Sequence, residues 1–223
     1  MNQFNQSISR SEQQILATNK VLKNTYILLS MTLLFSAFTA GISMSMNLPP
    51  MGFVITLAGY FGLLFLTTKF RNSSMGIVCV FALTGFMGLT LGPMLNAYIS
   101  TFSNGSQLIM TALGGTGVIF LGLSAYALTT KKDFSFIAGF LMVGILVAFL
   151  AGLGAMFFSI PALSLGVSAM FIMLMSGMIL YQTSEIIHGG ETNYIMATVS
   201  LYISLFNIFT SLLHILGVMG SDD

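Results

Sequence analysis

The stretch TSEIIHGGETNY at residues 183–194 gathers two acids and a histidine in a chain that is otherwise almost free of charge. Glu185, His188 and Glu191 follow one another at intervals of three residues, and Glu-x-x-His is a spacing that metal sites and acid–base catalysts use. Gly189 and Gly190 stand inside the cluster, and such a pair predicts the end of a helix. The three side chains then do not share one face, and they are too few for a typical zinc site.

Three interpretations of this stretch are open. The first is a solvated link that caps two helices, with Thr192 or Asn193 as the N-cap of the following helix. The second is a metal or catalytic site, and the third is a cytosolic mouth or a contact with a partner protein. The helices on either side of the stretch must position these residues, so they are considered next.

The composition identifies a membrane protein. Of the 223 residues, 56% are hydrophobic and 6% are charged, and the mean hydropathy is +0.94, whereas a soluble domain carries about 25% charged residues. The charged residues are too few to cover a surface that faces water, so lipid is the solvent for most of the chain. The seven Lys and Arg form no basic patch, which excludes nucleic-acid binding. The single Cys79 excludes an intrachain disulfide.

Seven runs without Lys, Arg, Asp or Glu are each long enough to cross the hydrocarbon, which takes ~20 apolar residues. The links between them are short and contain turn signals, so consecutive helices are expected to lie antiparallel in one bundle. The sequence predicts an all-α membrane protein with a cytosolic N-terminal tail (1–25), a seven-helix transmembrane domain (26–218) and a short C-terminal tail outside (219–223). The runs are 26–46, 51–68, 75–99, 108–128, 134–158, 162–181 and 194–218.

The basic residues all fall on one side of a chain with seven spans. The positive-inside rule makes that side cytosolic, so the N-terminus is expected inside and the C-terminus outside. The N-terminal tail is expected to be loosely ordered, with an interfacial helix near its end as the alternative. The basic residues are Arg10, Lys20, Lys23, Lys69, Arg71, Lys131 and Lys132.

Small residues in the third run predict close helix packing. Gly85, Gly88 and Gly92 recur at intervals of three and four residues, and in lipid such glycines let two backbones approach closely. Pro93 follows directly, and it is expected to kink the helix and free a carbonyl group.

A stripe of polar residues follows one face of the seventh run. At 100° per residue its members fall within an arc of about 80°, and a helix in lipid turns such an edge toward protein or water. The seventh helix is therefore expected at the centre of the bundle. The polar stripe either makes hydrogen bonds between helices or lines a water-filled path. Its members are Ser200, Ser204, Asn207, Ser211 and His214.

Three motifs resemble those of the Bax inhibitor family of seven-span membrane proteins. They are LTGFMGLTLGPMLNAY, SAYALTTKKDFSF and IIHGGETNYIMATVSLYISLFNIFTSLL. The resemblance extends from about Lys20 to Gly217 and is strongest to a bacterial branch of the family. It implies six helices wrapped around a central seventh, which agrees with the position that the polar stripe predicts.

The resemblance implies two activities. Some members are pH-sensitive calcium leak channels controlled by a pair of aspartates in the sixth and seventh helices. The bacterial branch is associated instead with the membrane AAA protease FtsH, as a substrate and modulator. At the positions of the two aspartates this chain has Gln182 and Ser204. Neither can ionise, so the coupled titration of two carboxylates is lost, together with the anionic oxygens that calcium prefers.

The favoured hypothesis is a protein of the bacterial inner membrane that binds and inhibits FtsH and is itself a slow substrate. The protease would grip the cytosolic tail, which carries Arg10, Glu12, Lys20 and Lys23. The alternative is a pH-sensitive calcium or cation leak lined by the polar stripe and Gln182, and a third reading is a structural scaffold. The expected partners are FtsH with its membrane complex and the lipid bilayer.

No enzyme activity, cofactor or metal site is expected from this sequence. The spans contain no carboxylate pair, no His-Glu-x-x-His motif and no nucleophile with a matching base. Passage of calcium ions belongs to the alternative hypothesis only.

Overall fold

Seven helices make up the part of the chain that the structure describes. The computed structural model describes the backbone of residues 2–220 and the side chains of residues 15–220. Seven helices in this part are long and apolar enough to cross a membrane, which confirms the predicted all-α membrane fold. They are α1 (Asn2–Ser45), α2 (Phe53–Phe70), α3 (Ser74–Thr101), α4 (Gly105–Thr130), α5 (Ala138–Phe158, preceded by the 3-10 turn Ser135–Ile137), α6 (Pro161–His188) and α7 (Tyr194–Met219).

α1 and α6 continue furthest beyond the apolar runs that predicted them. α1 begins at Asn2, so the segment that was expected to be loosely ordered is helical from that residue onward. α6 continues from the end of its apolar run to His188. Gln, Lys, Glu, Leu and Ala are good helix formers, so polar side chains end the membrane span without ending the helix.

The seventh helix lies at the centre of the bundle. α1, α3, α4 and α6 all pack against α7, whereas α2 packs on α3 and α5 packs on α6. Half of the most apolar window of α7 is buried, compared with 6% for α2 and 11% for α5. The central position predicted for α7 is confirmed, and α2 and α5 complete the shell one layer further out.

Two glycines of α3 allow close contact with α1. A Cβ atom at Gly88 would meet the backbone carbonyl of Ser36 in α1, and a Cβ atom at Gly92 would meet the side chain of Ser43. Both glycines are buried. Glycine at these positions therefore lets α1 and α3 lie backbone to backbone, as the spacing predicts.

Pro93 lies inside α3 and does not end the helix. Because proline has no N–H group, the carbonyl of Leu89, four residues earlier, loses its helical donor. Ser43 of α1 donates its hydroxyl to this carbonyl at an Oγ–O distance of 2.8 Å. The carbonyl that proline frees is thus used to join two helices.

Three loops meet at one end of the bundle, which is called the basic end here. They are residues 71–73, 131–137 and 189–193, and the Asn193 amide joins two of them by donating to the carbonyl of Arg71 at 2.9 Å. Lys20 and Lys131 line one crevice at the same end. The opposite end, called the far end, carries residues 46–52, 102–104 and 159–160.

Candidate functional site in the bundle interior

The hydrogen bonds that join α7 to other helices lie mostly on the face opposite the polar stripe. Tyr202 is 1% exposed, and its hydroxyl lies 2.7 Å from the hydroxyl of Ser36 in α1 and donates to the carbonyl of Thr84 in α3 at 3.3 Å. Thr198, one turn earlier, lies 3.3 Å from the carbonyl of Thr25. Sequence reasoning missed Tyr202 because tyrosine is counted among the hydrophobic residues, so it is not counted in the polar stripe.

The polar stripe bonds mainly to its own helix. Ser204 donates to the carbonyl of Ser200 at 2.9 Å, and Asn207 donates to the carbonyl of Ile203 at 2.8 Å. Such bonds satisfy a polar side chain in lipid without joining two helices. Ser204 and Ser211 are buried, whereas Ser200, Asn207 and His214 are half-buried.

His214 is the member of the polar stripe that reaches a neighbouring helix. Its Nδ1 atom lies 2.8 Å from the hydroxyl of Ser168 in α6. Both residues line a cavity of about 530 Å³ at the far end, between α5, α6 and α7. Asn207 instead lines a cavity of about 580 Å³ that opens between α2 and α5. His214 and Asn207 therefore line two different cavities, although both belong to the polar stripe.

Gln182 belongs to a set of buried polar atoms that have no hydrogen-bond partner. Its side chain is 7% exposed, and its Nε2 atom donates to no group in the described part of the chain. Unpaired polar atoms are costly in the interior, so a set of them indicates room for water or another polar group. The set comprises Thr25 Oγ1, Tyr26 OH, Ser124 Oγ, Gln182 Nε2 and Thr183 Oγ1.

A wide crevice lies at the basic end, and residues that line it are close in sequence to the unpaired atoms. Its volume is about 1130 Å³, and its walls come from residues 15–24 of α1, the end of α4, and the link between α6 and α7. Asn24, Leu128 and Ile186 line it, and each precedes or follows a member of the unpaired set by one to four residues. Along α1, α4 and α6, the unpaired atoms therefore lie within about one helical turn of residues that line the crevice.

The link between α6 and α7 ends one helix and begins the next, as the sequence predicts. Gly189 adopts a left-handed conformation with φ of +78°, and Gly190 donates its N–H to the carbonyl of Glu185 at 2.8 Å. This is a glycine C-cap. Asn193 then caps α7 by accepting hydrogen bonds from the N–H groups of Ile195 and Met196.

The acids and the histidine of this link do not converge on one point. The Glu185 carboxylate lies against Gly190, and the Glu191 carboxylate accepts from the N–H of Asn193 at 2.7 Å. His188 donates from Nδ1 to the carbonyl of Ser184 in its own helix at 2.9 Å. Within residues 15–220, no three His, Cys, Asp or Glu side chains are grouped to hold a metal ion. The geometry favours a capping link over a site of chemistry.

Ser184 is a second residue that sequence reasoning missed. Its hydroxyl donates to the carbonyl of Lys132 at 3.1 Å and accepts from the N–H of Phe134 at 3.0 Å. It therefore fastens the link between α4 and α5 to α6. A serine beside a threonine in an apolar helix gives no signal for this role, because the partners are backbone groups distant in sequence.

The four tail residues proposed for protease binding are only partly described. Lys20 and Lys23 are exposed on α1, and Lys20 lines the wide crevice together with His188. Arg10 and Glu12 lie outside the residues whose side chains the structure describes.

Comparison with known proteins places the chain in a family. A profile of the family described as "Inhibitor of apoptosis-promoting Bax1" matches residues 18–221. The chain belongs to the Bax inhibitor family. The relative named "Modulator of FtsH protease YccA" from Escherichia coli K12 is 53% identical over 216 residues, which cover 97% of this chain and 98% of the relative. "Inner membrane protein YccA" from another Escherichia coli strain has the same identity and coverage, and an uncharacterized Pseudomonas aeruginosa protein is 54% identical over 203 residues, 91% of each chain.

Gln182 and Ser204, the two positions at which the resemblance implies that the family's aspartate pair is replaced, are both buried. Gln182 is buried and its amide nitrogen is unpaired. Ser204 is 2% exposed and bonds to its own helix. Neither side chain can carry the negative charge that two carboxylates share.

Proposed function

We propose that this chain is an integral protein of the bacterial inner membrane that binds the AAA protease FtsH and slows the degradation of other membrane proteins. The observation that carries the proposal is the relative named as a modulator of FtsH protease, which is similar along nearly the whole chain. FtsH and its membrane complex are the proposed partners. In this proposal the chain is oriented with its N-terminus in the cytosol and its C-terminus in the periplasm.

The first helix supports a specific mechanism. Its charge-free apolar run is 26–46, and the helix continues back to Asn2, which gives a polar segment that a protease can grip. Behind it, α1 is joined to α3 and α7 through Ser36 and Ser43. A chain gripped at its N-terminal segment is thus pulled against the bonds that join α1 to α7 and α3, and it occupies the protease while it resists.

Deletion of residues 2–14 tests this mechanism. The deletion leaves the wall of the wide crevice at residues 15–24 in place. The readout is the half-life of a second membrane substrate of FtsH in proteoliposomes that contain this chain. We expect the half-life to fall to the value measured without this chain.

A matched control replaces residues 2–14 by a Gly-Ser segment of equal length. Inhibition that persists with this segment assigns the effect to a flexible length of chain, whereas its loss assigns the effect to residues such as Arg10 and Glu12. If the deletion variant still inhibits degradation of the second substrate fully, the mechanism is wrong.

A leak for calcium or other cations is the second candidate, and the unpaired buried atoms below the wide crevice favour it. Five polar atoms on α1, α4 and α6 have no protein partner, which suits a hydrated space at the basic end. The oxygens of this set are the neutral hydroxyls of Thr25, Tyr26, Ser124 and Thr183, and neutral oxygens hold calcium weakly.

Calcium flux into proteoliposomes at two pH values tests the second candidate. Absence of flux at both values leaves the modulator as the function. Flux that depends on pH would reverse the ranking, and it would assign the pH dependence to His188 or His214, since Gln182 and Ser204 do not titrate.

A further inference from the structure

A crevice open to lipid lies between α2 and α5. Because α2 packs on α3 and α5 packs on α6, the two outer helices leave a gap through which the bilayer reaches α7. The gap has a volume of about 580 Å³ and its walls come from α2, α3, α5, α6 and α7. Phe61, Met142 and Leu146 at its rim are 52%, 72% and 58% exposed, so the crevice faces the hydrocarbon directly.

Of the four polar side chains that line this crevice, Thr56 and Thr90 donate to carbonyl groups near them in the chain, and the other two are Asn207 and Tyr60. Asn207 stands midway along α7 (Tyr194–Met219), and Tyr60 stands midway along α2 (Phe53–Phe70). Asn207 donates its amide N–H to the carbonyl of Ile203. Its amide oxygen and the Tyr60 hydroxyl make no hydrogen bond within residues 15–220. An unpaired polar group in hydrocarbon costs several kcal/mol. A ligand that hydrogen-bonds to the Asn207 amide oxygen and the Tyr60 hydroxyl would therefore be stabilised in the crevice.

The walls are aromatic as well as apolar. Five phenylalanines line the crevice beside Tyr60, among them Phe86 and Phe206. Gly59 allows Phe86 to lie against α2, because a Cβ atom there would collide with the Phe86 ring. A volume of roughly 300–1,000 Å³ with aromatic walls and a few polar groups is typical of a small-molecule site.

We propose that this crevice binds a lipid-soluble ring compound that carries hydroxyl or carbonyl oxygens, of the quinol and quinone class. The ring packs between the aromatic walls. The Tyr60 hydroxyl donates to a ring oxygen, and the Asn207 amide oxygen accepts from a ring hydroxyl. A phospholipid acyl chain fills the same space but brings no polar group to the middle of the bilayer. The proposal is independent of protease binding.

Equilibrium dialysis of the purified full chain in detergent, with decylubiquinone and its reduced form as probes, tests the site. We expect saturable binding, with the quinol bound more tightly because it alone can donate to Asn207. Tyr60→Phe and Asn207→Leu should each lower the affinity for the quinol by about tenfold, which is the effect of one lost hydrogen bond. The matched control is Thr90→Val, because Thr90 lines the same crevice but donates to the carbonyl of Met87 in its own helix.

A second measurement needs no variant. Decylbenzene keeps the ring and the alkyl chain but has no ring oxygen, so the wild-type chain should bind it at least tenfold more weakly than the quinol. Equal affinity for the two compounds would overturn the proposal and identify the crevice as a place for acyl chains. Unchanged quinol affinity in Tyr60→Phe and Asn207→Leu would overturn it as well.

Discussion

The hydroxyl of Ser43 in α1 donates to the carbonyl of Leu89 in α3 at 2.8 Å. This carbonyl is available because Pro93 supplies no N–H four residues later. Ser43 is 0% exposed, so no water replaces the bond. A proline that weakens one helix thus creates the acceptor that fastens it to another.

Ser43→Ala should lower the free energy of unfolding by about 1–3 kcal/mol, because the Leu89 carbonyl is left unpaired in the interior. In a Pro93→Ala background the new N–H at position 93 can bond that carbonyl, so the same substitution should cost less. Unfolding in mixed detergent micelles measures both effects. Ser45→Ala is the control, since Ser45 is exposed and bonds its own helix. Equal costs in the two backgrounds would contradict the role of Pro93.

Gly88→Ala should destabilise the bundle by about 1–3 kcal/mol or more, the usual cost of overpacking. The added methyl group would meet the backbone carbonyl of Ser36 and the side chain of Thr39, and a backbone atom cannot move aside easily. Gly114→Ala is the control, because a Cβ atom there meets nothing within 4 Å. Thermal unfolding of the two variants in the same detergent compares them. A loss at Gly88 no larger than at Gly114 would argue against close approach of α1 and α3.

Asn193→Ala should destabilise the basic end by about 1–2 kcal/mol, because α7 loses its N-cap. The same side chain also donates to the Arg71 carbonyl, so the link to the neighbouring loop is lost too. Asn193→Asp keeps the capping oxygen and loses only the donor, so it should fall between the wild type and alanine. Hydrogen exchange of the first turn of α7 reports the effect, with the exposed Thr192→Ala as control.

Stability should depend on pH through Asp133, which lies outside the membrane spans. The pKa of its carboxyl is lowered by hydrogen bonds from the backbone and side chain of Ser135, with a smaller contribution from His188. Because the folded pKa lies below the unfolded one, the contribution is present above the unfolded pKa and is lost as the pH falls through the folded pKa.

The wild type should therefore lose its advantage over Asp133→Asn as the pH falls below the ordinary range of an aspartate. Unfolding midpoints of the two proteins across the acid range measure this. A constant difference between them at every pH would show that the charge plays no part.

Much of the fold follows from the distribution of charge along the sequence. Seven runs without charged residues predict seven helices, since the bilayer accepts little else. The ends of α1 and α6 do not follow, because Lys, Glu and Gln leave the membrane but continue a helix. The polar stripe predicts the central position of α7, since a helix with one polar edge tends to turn it toward protein or water, and Asn207 is the member that lines the crevice open to lipid.

The interior site is less accessible to sequence reasoning. The polar stripe is visible because Ser, Asn and His interrupt an apolar run, yet Ser204 and Asn207 bond only to their own helix. The bond between Tyr202 and Ser36 joins residues 166 positions apart. Such a pair depends on how α1 and α7 dock, which no local pattern specifies.

The central position of α7 also sets an order in biosynthesis. The ribosome makes α7 after the other six helices, so these enter the membrane with their common core still missing. Until Tyr202 arrives, the hydroxyl of Ser36 lacks the partner it has in the finished bundle. A chain that stops before Tyr194 exposes the contact surfaces of four helices to lipid. Synthesis of α7 is therefore the step at which the seven helices can become a single folded unit.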